Sequence, residues 1–203
     1  MKVYSKSIYV LIVLFLVVAC APTATQEVPT VESQPTPAEK YHSLDTRTGI
    51  VEIDRVLDAV ENDNPQSLID LFSYTKIECM TVNALGGPPP CREGESEGTM
   101  VEVLPFLASE GSYFRKDDIN NWPGLDVDGL HAVYQVSENA YSDEYYPKGN
   151  YGVILIGTKE ENVVLQVKDA GIVRIDYIFD LSPDMLTGIL ERSAGEIILA
   201  PPE

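Results

Sequence analysis

A chain of 203 residues, 44% hydrophobic and 23% charged, is long enough to bury a core in one domain. Its formal charge of −18 excludes a nucleic-acid surface, and it excludes adhesion to anionic lipid through a basic patch. Two histidines and three cysteines offer little to a metal centre, no pattern calls for a cofactor, and no internal repeat is present.

Residues 1–19, MKVYSKSIYVLIVLFLVVA, carry Lys2 and Lys6 and then an apolar run from Ile8 to Ala19 without an acid. The run is about 12 residues, short of the ~20 that a spanning helix needs, so it reads as a cleaved export signal. Its end, Val17-Val18-Ala19-Cys20, resembles the lipobox of bacterial lipoproteins, with valine at 17 where leucine is commoner. That resemblance implies cleavage before Cys20, a diacylglycerol on its thiol and an acylated new amino terminus, such as a palmitate. It implies an extracytoplasmic protein held on the bacterial cell membrane or outer membrane, because two or more acyl chains anchor firmly. The alternative is an ordinary secretory signal with a chance cysteine. Loss of Lys2 and Lys6 with the signal takes the charge from −18 to −20.

Residues 20–48 are rich in Pro, Thr, Ser, Gln and Glu and poor in large apolar side chains, which predicts a flexible tether of roughly 25–30 Å. With Cys20 lipidated, Cys79 and Cys91 remain as a pair in an oxidising compartment. They predict a disulfide closing a loop of about 13 residues, which stabilises by roughly 3 kcal/mol. The enclosed Gly86-Gly87 and Pro88-Pro89-Pro90 favour neither helix nor ladder. Zinc needs two more ligands, and His42 and His131 sit at no finger spacing. The loop and the EGESEGTMVEVLP after it resemble segments of exported bacterial proteins, which implies no activity.

The domain, 49–203, opens with helical periodicity: Ile50, Ile53, Val56, Leu57 and Val60 share one face. Asn64 and Pro65 restart a second, short helix, with Leu68, Ile69, Leu71 and Phe72 inward. From Thr99 onward TMVEVLPF, GLHAVYQVSE, NYGVILIGT, NVVLQVKD and GIVRIDYIFD read as strands, the last three joined by the short turns KEEN and DAG into an antiparallel meander. Alternation places Leu130, Ala132, Tyr134 and Val136 on one side. It also places Val173, Ile175, Tyr177 and Phe179 opposite Arg174 and Asp176. Ser182-Pro183 starts a last helix, and EIILAPPE closes the chain as strand or tail.

This order predicts an α+β domain, with N-terminal helices packed on a curved antiparallel sheet. IDRVLDAVENDNPQSLIDLF and GIVRIDYIFD resemble the opening helices and last strand of the nuclear-transport-factor-like (cystatin-like) superfamily. That resemblance implies a sheet wrapped around a helix and a conical pocket. The cysteine loop and NNWPGLDVDG depart from the pattern.

Several groups are candidates for a site. GLDVDG has the Asp-x-Asp-Gly core of a calcium loop, yet Gly124 and Gln135 fall where acids are required, so it reads as a turn. Tyr141, Tyr145 and Tyr146 beside Asp143 and Glu144 suit a sugar or cationic ligand, or simply pack on the domain edge. Tyr134 and Trp122 are further candidates for a pocket wall. His131, Arg174 and Asp176 are the catalytic candidates if the chain is a pocket enzyme of hydrolase or isomerase type. The reading adopted is a lipid-anchored, non-catalytic module that binds a small molecule or an envelope protein. A structural envelope protein is the third alternative.

Overall fold

The computed structural model describes residues 41–202 apart from 83, 160, 180 and 181, all within one compact unit. The expected signal, the lipidation at Cys20 and the tether up to residue 40 lie outside the described residues. Residues 41–48, which composition places in the tether, are tied to the domain instead. His42 and Leu130 exchange backbone hydrogen bonds of 2.8 and 2.9 Å, and His42 Nε2 donates to the Ala200 carbonyl at 2.7 Å. Tyr41 covers Gly129, where a Cβ would lie 2.0 Å from its ring. Composition misses this because backbone pairing needs no apolar side chain.

The first helix, α1 (Val51–Glu61), buries Ile53, Val56, Leu57 and Val60, as its spacing predicts. Ile50 offers no side-chain cap. Asp54 instead ties the preceding turn to the helix, accepting from the Thr48 and Gly49 amides at 2.7 and 3.0 Å. The second helix, α2 (Pro65–Ile69), starts at the expected place, with the Asn64 side chain accepting from the Gln66 amide at 3.0 Å.

The strands are β1 (Thr75–Glu78), β2 (Met100–Leu107), β3 (Gly111–Arg115), β4 (Val127–Val136), β5 (Tyr151–Gly157), β6 (Asn162–Lys168), β7 (Gly171–Ile178) and β8 (Ala194–Leu199). A 3-10 helix, Lys116–Asn121, precedes β4, and α3 (Pro183–Ser193) precedes β8. They form one mixed sheet in the order β1-β2-β7-β6-β5-β4-β8, with β3 on β2. The domain is therefore α+β. The expectation of an antiparallel sheet holds for β4 to β7 and fails at one joint. There β2 runs parallel to β7 through Phe106–Ile175 and Leu107–Asp176. Everything from β3 to β6 lies between those strands in sequence, so no local turn encodes the pairing.

The sheet is covered on both faces. On the inner face α1 and α2 close over Leu104, Val133, Leu155, Leu165 and Ile175. On the outer face a smaller cluster of Ala132, Tyr134, Ile154 and Val164 packs under Leu186 of α3. Hence β5 and β6 are almost continuously apolar rather than alternating.

Two bulges overturn expected facings. In β4 the register shifts between Leu130 and Ala132, so Leu130 joins the inner cluster while Ala132 and Tyr134 face outward. Opposite β7 it shifts between Gln166 and Val167, so Ile172, not Val173, lies inside with Ile175. Phe179 follows the last ladder pair and is 56% exposed. The final helix and closing strand form as expected, with the Ser182 side chain accepting from the Met185 amide.

Cys79 and Cys91 are joined by a disulfide. Cys79 is fully buried just after β1, and its backbone bonds to Thr99 and Gly98 at 2.9 Å while Met80 bridges to Pro90. The bond thus ties a proline-rich segment to the sheet where few amides are free to do so. Replacing both cysteines by alanine is expected to lower unfolding stability by about 3 kcal/mol. Chemical denaturation checks this, and an unchanged midpoint contradicts it.

Candidate ligand cleft

One register row on the outer face brings polar groups together. Arg174 on β7 pairs with Gln166 on β6, Gln166 with Gly152 on β5, and Gly152 with Tyr134 on β4. Directly opposed residues share a face, so three of these side chains converge while Gly152 contributes none. That absence matters. A Cβ at Gly152 would lie 2.2 Å from Tyr134 Cζ, so the bare glycine lets the tyrosine ring lie across β5 toward Gln166.

The polar groups form a connected network. Arg174 grips Asp176 in a fork, Nε donating to Oδ1 at 2.7 Å and Nη2 to Oδ2 at 3.0 Å. Gln166 donates from Nε2 to Asp176 Oδ2 at 3.2 Å and accepts from the Gly149 amide at 3.0 Å. Arg174 Nη1 donates to the Tyr146 carbonyl at 3.0 Å and the Tyr141 carbonyl at 3.4 Å, and the guanidinium stands 5.8 Å from the Tyr141 ring centroid. A buried arginine, 4% exposed, therefore holds the loop between β4 and β5 down on the sheet. Asp143 sets the loop's shape, accepting from the Tyr145 and Tyr146 amides at 2.8 and 2.7 Å. Its carboxyl is held below the usual range, chiefly by the Tyr141 hydroxyl.

Between this loop and α3 lies a cleft of about 340 Å³. Tyr134, Gln166, Arg174 and Asp176 make its polar floor, and Leu107, Val164 and Ile189 are among its apolar walls. Burial pushes the Tyr134 hydroxyl up to about 12, with Gln166 and Ser193 as its hydrogen-bonding neighbours. Burial also pushes the Asp176 carboxyl up, against the opposing pull of Arg174 and Gln166. Such a floor offers fixed donors and acceptors in a low-dielectric setting, which suits orienting a bound molecule.

The named candidates divide. Arg174, Asp176, Tyr134 and Tyr141 meet at the cleft, Tyr141 with 58% of its surface exposed. Tyr145 lines a different groove beside Lys76, Met80 and Met100, and Tyr146 is buried with its ring stacked on Tyr113. Trp122 is a core plug, edge-on to Phe72 and donating to Tyr177 Oη at 3.3 Å. His131 stands at the β4 bulge, three strands from β7, or about 14 Å at the usual strand spacing. Of the calcium-like segment, Asp126 pairs with Lys159 at 2.6 Å. Among the described residues no group of three or more His, Cys, Asp or Glu could hold a metal, and no helix is long and apolar enough to cross a membrane. Sequence reading missed Gln166, although a lone glutamine inside VVLQVK is a legible signal. It also missed Gly152, whose role depends on a neighbouring strand.

Comparison with protein-family models, curated proteins and solved structures gives no match for this chain.

Gly152→Ala is expected to cost about 1–3 kcal/mol by displacing the tyrosine ring, and most of that cost should vanish in a Tyr134→Ala background. A double-mutant cycle by chemical denaturation measures the coupling, and additive costs contradict it. A second expectation concerns pH. Burial, with His42 nearby, lowers the His131 pKa below its ordinary 6.5. The unfolded chain then takes up this proton more readily than the folded one, so the contribution is complete above pH 6.5 and lost as pH falls through the lower folded value. His131→Gln should flatten the stability profile below pH 6.5, and an unaltered slope counts against the assignment.

Proposed function

We propose that the chain is an extracytoplasmic lipoprotein, anchored through Cys20, whose domain binds a small molecule without catalysis in the cleft between the Tyr141–Tyr146 loop and α3. The observation that carries the reading is the convergence of Tyr134, Gln166, Arg174 and Asp176 on one floor with apolar walls above it. The catalytic alternative draws less support. His131 is three strands away from the Arg174–Asp176 pair, so the three catalytic candidates do not meet in one place.

Membership of the cystatin-like superfamily is part of the same proposal. It is supported by two leading helices, a long sheet, and α1 lying against β6 and β7. This chain would then differ in where it binds. The face beneath α1 is packed with Ile53, Leu57, Leu155 and Leu165, so the ligand sits on the opposite face.

Two experiments test the parts separately. Cys20→Ser is expected to abolish incorporation of radiolabelled palmitate and to release the protein from membranes, whereas persistent labelling refutes the anchor. For the cleft, a panel of methyl glycosides and small ammonium compounds is titrated while amide resonances are followed. Saturable shifts confined to Gln166, Arg174 and Ser193, and lost in Gly152→Ala, support the site. Shifts that leave these residues untouched count against it.

A further inference from the structure

A second set of buried polar groups lies on the β2–β3 hairpin, beneath the disulfide-closed loop. Arg115 ends β3, and its side chain is 8% exposed. Its guanidinium meets one carboxylate, with Nη2 donating to Glu95 Oε2 at 2.8 Å and Oε1 at 3.0 Å. Nε and Nη1 are sealed from solvent and meet no acceptor among the described residues. The hydroxyl of Tyr113, two residues earlier on the same side of β3, is likewise buried, with the Tyr146 hydroxyl as its polar neighbour. Burial, with the Tyr146 hydroxyl beside it, raises Tyr113 far above the ordinary tyrosine range. A structural clasp accounts for Nη2 alone. Native proteins seldom bury such donors without water, an ion or a ligand to meet them.

Tyr113 and Arg115 are among the residues that line a groove of about 410 Å³ between the loop and β3. Pro89, Pro90, Tyr113 and Phe114 give it flat apolar walls, and the ion-paired Arg92 and Asp118 stand at its rim. A guanidinium fork between flat apolar walls matches a carboxylate carried on an aromatic ring. We propose that this groove binds a small aromatic carboxylate through Arg115, and that Glu95 is an intrachain carboxylate which the ligand displaces. Glu95 also accepts from the Arg92 amide at 2.8 Å, so its release loosens the turn that holds Arg92 as well. The Cys79–Cys91 bond keeps the rest of the loop, with its proline wall, in place. The groove is independent of the cleft beside α3, with which it shares no lining residue.

Benzoate is the probe, titrated into the full, disulfide-intact chain by calorimetry and followed by amide shifts. Saturable binding with shifts at Arg92, Glu95 and Ser112–Arg115 is expected. Glu95→Ala removes the competing carboxylate and should tighten binding by about tenfold. Arg115→Lys keeps the charge, loses the fork, and should weaken binding by about tenfold or more in either background. Ser112→Trp fills the groove from the exposed strand edge while leaving Arg115 and Glu95 intact, so it tests the site even where Arg115→Lys does not fold. Absence of benzoate shifts at the groove overturns the inference. So does binding that Glu95→Ala fails to tighten, or binding that survives Ser112→Trp.

Discussion

Phe106–Ile175 and Leu107–Asp176 are the pairs through which β2 meets β7, with Phe72–Ile172 the other bridge on that side. Through this short parallel contact the β1–β2–β3 group joins the β7-to-β4 meander, and most of what matters on the outer face follows from it. Asp176 sits in the joint itself, so the carboxylate that Arg174 grips is placed by strand pairing rather than by a loop. Leu107, its partner, becomes a wall of the cleft. The hairpin that the joint fixes also carries Tyr113 to the stacking contact with Tyr146, so a strand and a loop far apart in sequence meet.

The two faces of that sheet do different work. The inner face is a dry contact between α1, α2 and the strands, whose contribution is removal of apolar area from water. The outer face is covered in pieces, by α3, by the tyrosine loop and by the disulfide loop, and the seams between pieces are where polar groups collect. Arg174, Gln166 and Asp176 are bonded to one another, and such a network fixes one arrangement because breaking any member strands the others. The Arg115 site follows the opposite pattern, a buried guanidinium met at one nitrogen and left open at two.

Legibility in the sequence followed how local each cause was. α1 was readable because Ile53, Val56, Leu57 and Val60 repeat at helical spacing, and α2 and α3 because Asn64-Pro65 and Ser182-Pro183 mark helix starts within a few residues. The Cys79–Cys91 bond was readable by pairing what remained after Cys20. By contrast β1 and β3 are four and five residues long, with Gly111 and Thr75 at their ends, too short for a periodic signal. Facing was misjudged wherever a bulge adds a residue, as at Leu130 and Val173, because one extra residue reverses parity without leaving a mark in composition.

Arg174 and Asp176 could be placed on one strand face from their spacing alone, since alternation is a property of the backbone. That this face looks into a cleft, that Gln166 completes the fork, and that Gly152 clears the path for Tyr134 depended on the strands lying beside β7. The sequence by itself determined the helices, the meander and the disulfide, since each arises within a short reach of chain. Only the tertiary structure decided the parallel joint, the covered faces, the cleft and the groove, because lateral strand order is set by which apolar faces can be buried together.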